Sequence, residues 1–198
     1  MPSTVGHFLG GVACVWGTDL VPGRRAWRGA APSASWFERA GAGFTLGCGV
    51  LAASPDLDLL FHAHRTVTHS IGAVIFVGLF AAAMAVQSGL PVRRVVAMCA
   101  GAYASHLLLD WLAADRFFPY GIQALWPFSH NWYISGIDLF PQTERRNFFT
   151  WSVIKQDTTA VVREVVILGP TCVALWLVRV KALAGLAPKL TRSDHSSE

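Results

Sequence analysis

Charge is what this sequence has least of. Only 14% of its 198 residues are Asp, Glu, Lys or Arg, against about 25% in an ordinary soluble domain. With 53% hydrophobic residues and a mean hydropathy of +0.43, intrinsic disorder is excluded, because disorder needs little apolar content and much charge. Cysteine is sparse too. Cys14, Cys48, Cys99 and Cys172 lie far apart, form no CxxC pair and sit in apolar segments. They read as small buried hydrophobes, not as a disulfide scaffold. Basic runs are also missing. Lys and Arg come in ones and twos between apolar stretches, so no nucleic-acid partner is expected despite a pI near 9.1. A membrane-embedded helical protein, or a soluble one with a very apolar core, remains. The length allows one domain.

Long apolar runs are what the chain does have. A helix needs roughly 20 mostly apolar residues to cross about 30 Å of hydrocarbon. Residues 70–90 form the clearest candidate, followed by 95–109 and by 165–178, the last flanked by Arg163 and Arg179, whose long stems can snorkel. Two shorter glycine-rich stretches, 5–15 and 40–53, precede them. Their Gly10, Gly11, Gly41, Gly43, Gly47 and Gly49 suit close helix–helix contact in a bilayer. The expected fold is therefore all-α: an integral membrane bundle of about five helices within a single domain, residues 1–187. A polar, frayed tail over 188–198 completes the chain. No basic n-region precedes the first apolar run, so that run reads as a retained helix rather than a cleaved signal peptide. Residues 115–163 form the longest non-spanning region, and their many aromatics suit an interfacial belt.

Five spans sort the loops into two sets. One set (residues 20–39 with the adjoining Asp19, 91–94 and the C-terminal tail) carries ten bases and four acids; the other carries six bases and eight acids. An excess of Lys and Arg marks the cytoplasmic side. The first set then faces the cytoplasm and the second faces outward.

That topology gathers the polar residues at one depth. His7 opens the first helix. Asp56 and Asp58, in SPDLD, close the second. His62, His64 and His69, in HAHRTVTHS, lead into the third, and His106 and Asp110, in HLLLD, close the fourth. All lie at the outward ends. Neutral imidazoles and carboxylates are ligands for divalent metals such as Zn²⁺. The i, i+4 spacing of His106 and Asp110 puts both on one helix face, and ionisable groups near hydrocarbon are functional candidates by default. His7, Asp56, Asp58, His69, His106 and Asp110 form the expected metal shell, with His64 as an extra ligand or general acid. Arg65 is a candidate phosphate clamp or an anchor to lipid headgroups. His130 and Asp138 are weaker additions. Asp19 and His195 read as solvated.

The series His7, PDLD, HRTVTHS, SHLLLD and WPFS resembles the LexA-binding, inner-membrane-associated hydrolases, also described as membrane-bound metal-dependent hydrolases. The likeness covers roughly residues 1–180. A more distant likeness is to zinc-dependent phospholipase C and the S1/P1 nucleases. It implies that His7, Asp56 or Asp58 with His69, and HxxxD at His106 and Asp110 correspond to metal ligands. The chain departs from phospholipase C after Asp110: it offers only His130 and no further HxxxE. One or two metal ions are therefore implied rather than three. The expected activity is hydrolysis of a phosphoester, on a phospholipid or lipid-linked substrate, by metal-activated water, with Asp58, His64 and Arg65 as catalytic groups. The expected partners are membrane lipids and a small-molecule or lipid substrate. The rival class is a non-catalytic, metal-stapled membrane protein with a regulatory or assembly role. A transporter fits less well, because the helix centres are apolar.

Overall fold

The computed structural model describes residues 1–20, 42–61, 65–144 and 149–184. Among them are five α-helices and no β-strand: α1 (Thr4–Leu20), α2 (Ala42–Ala53), α3 (Ile71–Gln87), α4 (Val92–Leu112) and α5 (Trp151–Ala184). Short 3-10 helices over Ser54–Phe61 and Val67–His69 join α2 to α3. The tail beyond residue 184, the 21–41 connection and His62 to His64 lie outside the described residues.

α1 packs against α2, α4 and α5, and α4 packs against α1, α2 and α3. These two helices are the centre of the bundle. Val15, Cys48, Ala52, Met98 and Ala102 form its core. Small residues allow the close approach. A Cβ on Gly11 would lie 2.5 Å from the Ala52 Cβ, and one on Gly49 would meet the Phe8 ring at 2.5 Å. Gly10 likewise packs on Leu109. Gly43 and Gly47, expected at helix contacts, instead face open space.

The helices differ in length from the apolar runs that announce them. α4 and the Trp151–Arg179 part of α5 are long and apolar enough to cross a membrane, whereas Ile71–Gln87 is apolar but shorter. α3 stops where Ser88 and Gly89 turn the chain, Gly89 at φ +65°. α5 starts well before its apolar run and continues through Pro170. Polar residues ahead of that run, such as Lys155 and Gln156, are sound helix formers that periodicity of apolar positions does not register.

Residues 113–144 form a compact connection. Ala114 N donates to Phe140 O at 2.9 Å, and Ile122 and Tyr133 exchange two backbone hydrogen bonds. Phe140 is buried with Leu109 and Ala113. Ile71 N and Gly72 N donate to the carbonyls of Ala124 and Trp126, which satisfies two otherwise orphaned amides of the first turn of α3.

The opposite end is tied by ions. Asp19 on α1 accepts from Arg94 on α4 and, at 2.7 Å, from Arg179 on α5. All three are buried, so the expectation that Asp19 is solvated is corrected: α4 and α5 each bring a guanidinium to it.

Candidate metal centre

Four segments deliver polar side chains to one end of the bundle. His7 lies one turn into α1. The turn after α2 carries Asp56 and Asp58. Val67–His69 carries His69, and the last turns of α4 carry His106 and Asp110. The approach to α3 is fixed locally. Ser70 caps that helix by accepting from Ala73 N at 3.2 Å, and its hydroxyl donates to Val67 O at 2.5 Å. Tyr103 on α4 donates to Thr68 O at 2.7 Å. Together these contacts hold His69 against α4.

The cluster is dry. His7, His69 and His106 are fully buried, and Asp110 nearly so. Asp110 stands 3.2 Å from His106 Nε2, 3.4 Å from His69 Nε2 and 3.4 Å from His7 Nε2. Asp56 lies 3.7–3.9 Å from the same three nitrogens. The His7 ring stacks on His106 with centroids 3.7 Å apart.

The protons can be placed from the partners. His106 Nδ1 is 2.8 Å from the Ala52 carbonyl oxygen. A carbonyl only accepts, so Nδ1 carries the proton and Nε2 turns its lone pair into the cluster. His69 Nδ1 is 3.1 Å from Asp58 Oδ2, a carboxylate that also accepts from the Thr68 hydroxyl and, at 3.3 Å, from Arg65 N. Carboxylates behind an imidazole in this way orient it as a metal ligand. His69 Nε2 and His106 Nε2 then face each other at 3.0 Å, and a cation must sit between two such lone pairs. In the metal-free protein it is a proton. Burial works to lower the His69 pKa, but hydrogen bonds to Asp56 and Asp58 and the nearby Asp110 outweigh it and raise the value to about 9.

The donor set fits a divalent ion. Both oxygens of Asp110 and both nitrogens of His7 are buried without a hydrogen-bond partner among the described residues. Buried polar atoms in native proteins are nearly always satisfied. Two groups offer ligand atoms within 4.8 Å of one another: His7, Asp56 and His106, and His69, His106 and Asp110. They share His106, whose single inward Nε2 lone pair serves one ion, so a second ion would have to be held by the other residues alone.

The sequence matches the YdjM inner membrane protein family over residues 1–186. The chain belongs to that family. No curated protein and no solved structure matches it. Every residue of the His/Asp cluster lies within the span matched to the YdjM family, and the family's name agrees with the apolar helices in placing the chain at the inner membrane.

Of the residues singled out in this YdjM-family sequence, the fold brings together His7, Asp56, His69, His106 and Asp110. Asp58 stands behind His69 and belongs to neither ligand group. Arg65 has a positive φ of 70°, unusual for a residue with a side chain, and its guanidinium pairs with Asp115. His64 lies outside the described residues. His130 and Asp138 are exposed and in neither ligand group. Three acids carry more than their sequence context shows. Asp115 accepts from Arg65, from Gly121 N at 2.7 Å and from Phe117 N at 3.1 Å. Glu164, fully buried on α5, accepts from Ser3 N at 2.7 Å and from the Ser3 hydroxyl, which anchors the turn before His7. Asp19 is the third. The only signal for Glu164 was a lone acid beside an apolar run.

Proposed function

We propose that this chain is a membrane-bound, metal-dependent hydrolase acting on a phosphoester of a phospholipid or lipid-linked substrate. The observation that carries the proposal is the buried Asp110 carboxylate, which has three imidazole nitrogens within 3.4 Å. His7, Asp56, His69, His106 and Asp110 are the proposed ligands, and a His/Asp set of this kind suits Zn²⁺. A bound divalent ion supplies an activated water near neutral pH and polarises a phosphoryl oxygen. The chain's own groups do the positioning. Asp58 and Thr68 hold the His69 proton on Nδ1, and Ala52 O does the same for His106. Arg65, whose backbone N–H donates to Asp58 while its guanidinium pairs with Asp115, is assigned to a phosphate oxygen. His64 is assigned as general acid or extra ligand. The five helices are proposed to span the inner membrane with this end outward. Arg94 and Arg179 are buried with Asp19 rather than in loops, but the remaining Lys and Arg residues keep the same bias.

Deep burial of the ligand set favours one second reading, a coordinatively closed ion that staples the helices without catalysis. Metal analysis of protein purified without chelator, paired with a phosphodiester and phospholipid hydrolysis screen, separates the two. The hydrolase reading expects about one or two ions per chain and turnover that His106→Ala abolishes. Bound metal without turnover supports the staple. Folded wild-type protein with less than about a tenth of an equivalent sinks both.

A further inference from the structure

The segments that turn acids and imidazoles inward turn apolar side chains outward. In PDLD, Asp58 is buried while Leu57 is 60% exposed, and beside His69 Val67 is 46% exposed. The neighbouring connection does the same on a larger scale: Phe118 is 85% exposed and Phe128 81%. These two stretches are one rim. Gln123 N donates to Arg65 O at 3.1 Å, and the Arg65–Asp115 pair ties the base of the Phe118 loop to the turn behind His69. Ala124 and Trp126 sit on the first turn of α3, whose outward face continues the apolar surface through Ile75 and Phe76. Water around so many exposed large apolar groups is costly, at about 25 cal/mol per Å². Contiguous apolar surface of this kind marks an interaction site.

We infer that this rim, formed by Leu57, Val67, Phe118 and Phe128 around the His/Asp cluster, inserts into the lipid leaflet at this end of the bundle. The occupant is lipid rather than a protein, because the connection that carries Phe118 and Phe128 is hydrogen-bonded to the first turn of α3, whose Ile71, Ile75 and Phe76 are exposed too, in a chain of an inner membrane family. The buried cluster then lies next to the headgroup–acyl boundary, where a phosphoester of a lipid lies. That last step rests on the hydrolase reading; the insertion does not.

The test uses the full chain in nanodiscs of phosphatidylethanolamine and phosphatidylglycerol. Leu57→Cys, Phe118→Cys and Phe128→Cys are each labelled with an environment-sensitive fluorophore, and labelled wild-type protein sets the background from the native cysteines. Insertion expects blue-shifted emission, quenched several-fold more by lipid spin-labelled high on its acyl chain than by iodide in the water. Stronger quenching by iodide overturns the inference. Protection from both quenchers also overturns it, because a second copy or another protein then covers the rim. Should the variants not fold, photocrosslinking of wild-type chain by a diazirine-bearing lipid replaces them. Adducts are expected on the peptide holding residues 117–128, and adducts confined to α3 and α5 refute insertion. Neither measurement needs bound metal, so a failed metal reading and a failed insertion are told apart.

Discussion

Asp110 puts both carboxylate oxygens in a buried position in front of three imidazoles. His106→Ala and Asp110→Asn should each abolish tight metal binding. Asp58→Asn acts one contact further out, through His69, and should weaken binding about 10–100-fold. Competition against a chromophoric chelator measures all three, and an Asp58 loss as complete as that of His106 would make Asp58 a direct ligand. His69 also sets a pH dependence. Its pKa is raised to about 9 from 6.5 in the metal-free protein. The proton therefore contributes stability that is fully present below pH 6.5 and lost as pH rises through 9. Metal must displace that proton, so affinity should rise over the same interval. Thermal midpoints between pH 6 and 9.5 should fall without metal and hold or climb with it; parallel curves would refute the exchange.

At the scale of helices, the site depends on how α1, α2 and α4 lie against one another. Ala52 supplies both the wall facing Gly11 and the carbonyl that orients His106. Gly11→Val would push a side chain into the Ala52 Cβ and should cost about 1–3 kcal/mol by overpacking, with metal affinity falling alongside. Asp19 makes a contrasting prediction. Asp19→Ala leaves two buried guanidiniums without their shared carboxylate and should cost about 3–5 kcal/mol. Thermal unfolding in detergent reads that loss. Metal stoichiometry of the folded fraction should stay at the wild-type level, since Asp19 lies at the other end of α1. A stoichiometry that falls with stability would couple the two ends.

Across the whole molecule, two polar clusters stand at opposite ends of one apolar core. Twelve residues separate His7 from Asp19 on α1, and twelve separate Arg94 from His106 on α4, a rise of about 18 Å on each helix. That is less than the roughly 30 Å of a hydrocarbon core, so in the proposed membrane-spanning arrangement burial in protein is what would allow both clusters at such depth. α1 and α5 run parallel, with Ser3 on Glu164 at one end and Asp19 on Arg179 at the other. Topology reporters fused after Arg94 and after Asp115 should fall on opposite sides, the latter outside the cytoplasm. Residue 115 in the cytoplasm would invert the proposed orientation.

The amino-acid sequence by itself determined the helical class, the membrane and the members of the cluster. Apolar run length and the HxxxD spacing are local properties, and scarce charge leaves the few His and Asp residues conspicuous. Helix limits were less legible, because α5 begins among polar residues that no apolar period marks. Tertiary structure alone decided the roles within the cluster. Asp56 and Asp58 are two residues apart, yet one faces the imidazoles from inside and the other stands behind His69, a difference set by how the Ser54–Phe61 turn meets the Val67–His69 turn. Glu164, Asp115 and Asp19 belong with these cases. What an acid does depends on the partner that the fold brings to it, and Ser3, Arg65, Arg94 and Arg179 all arrive from distant parts of the chain.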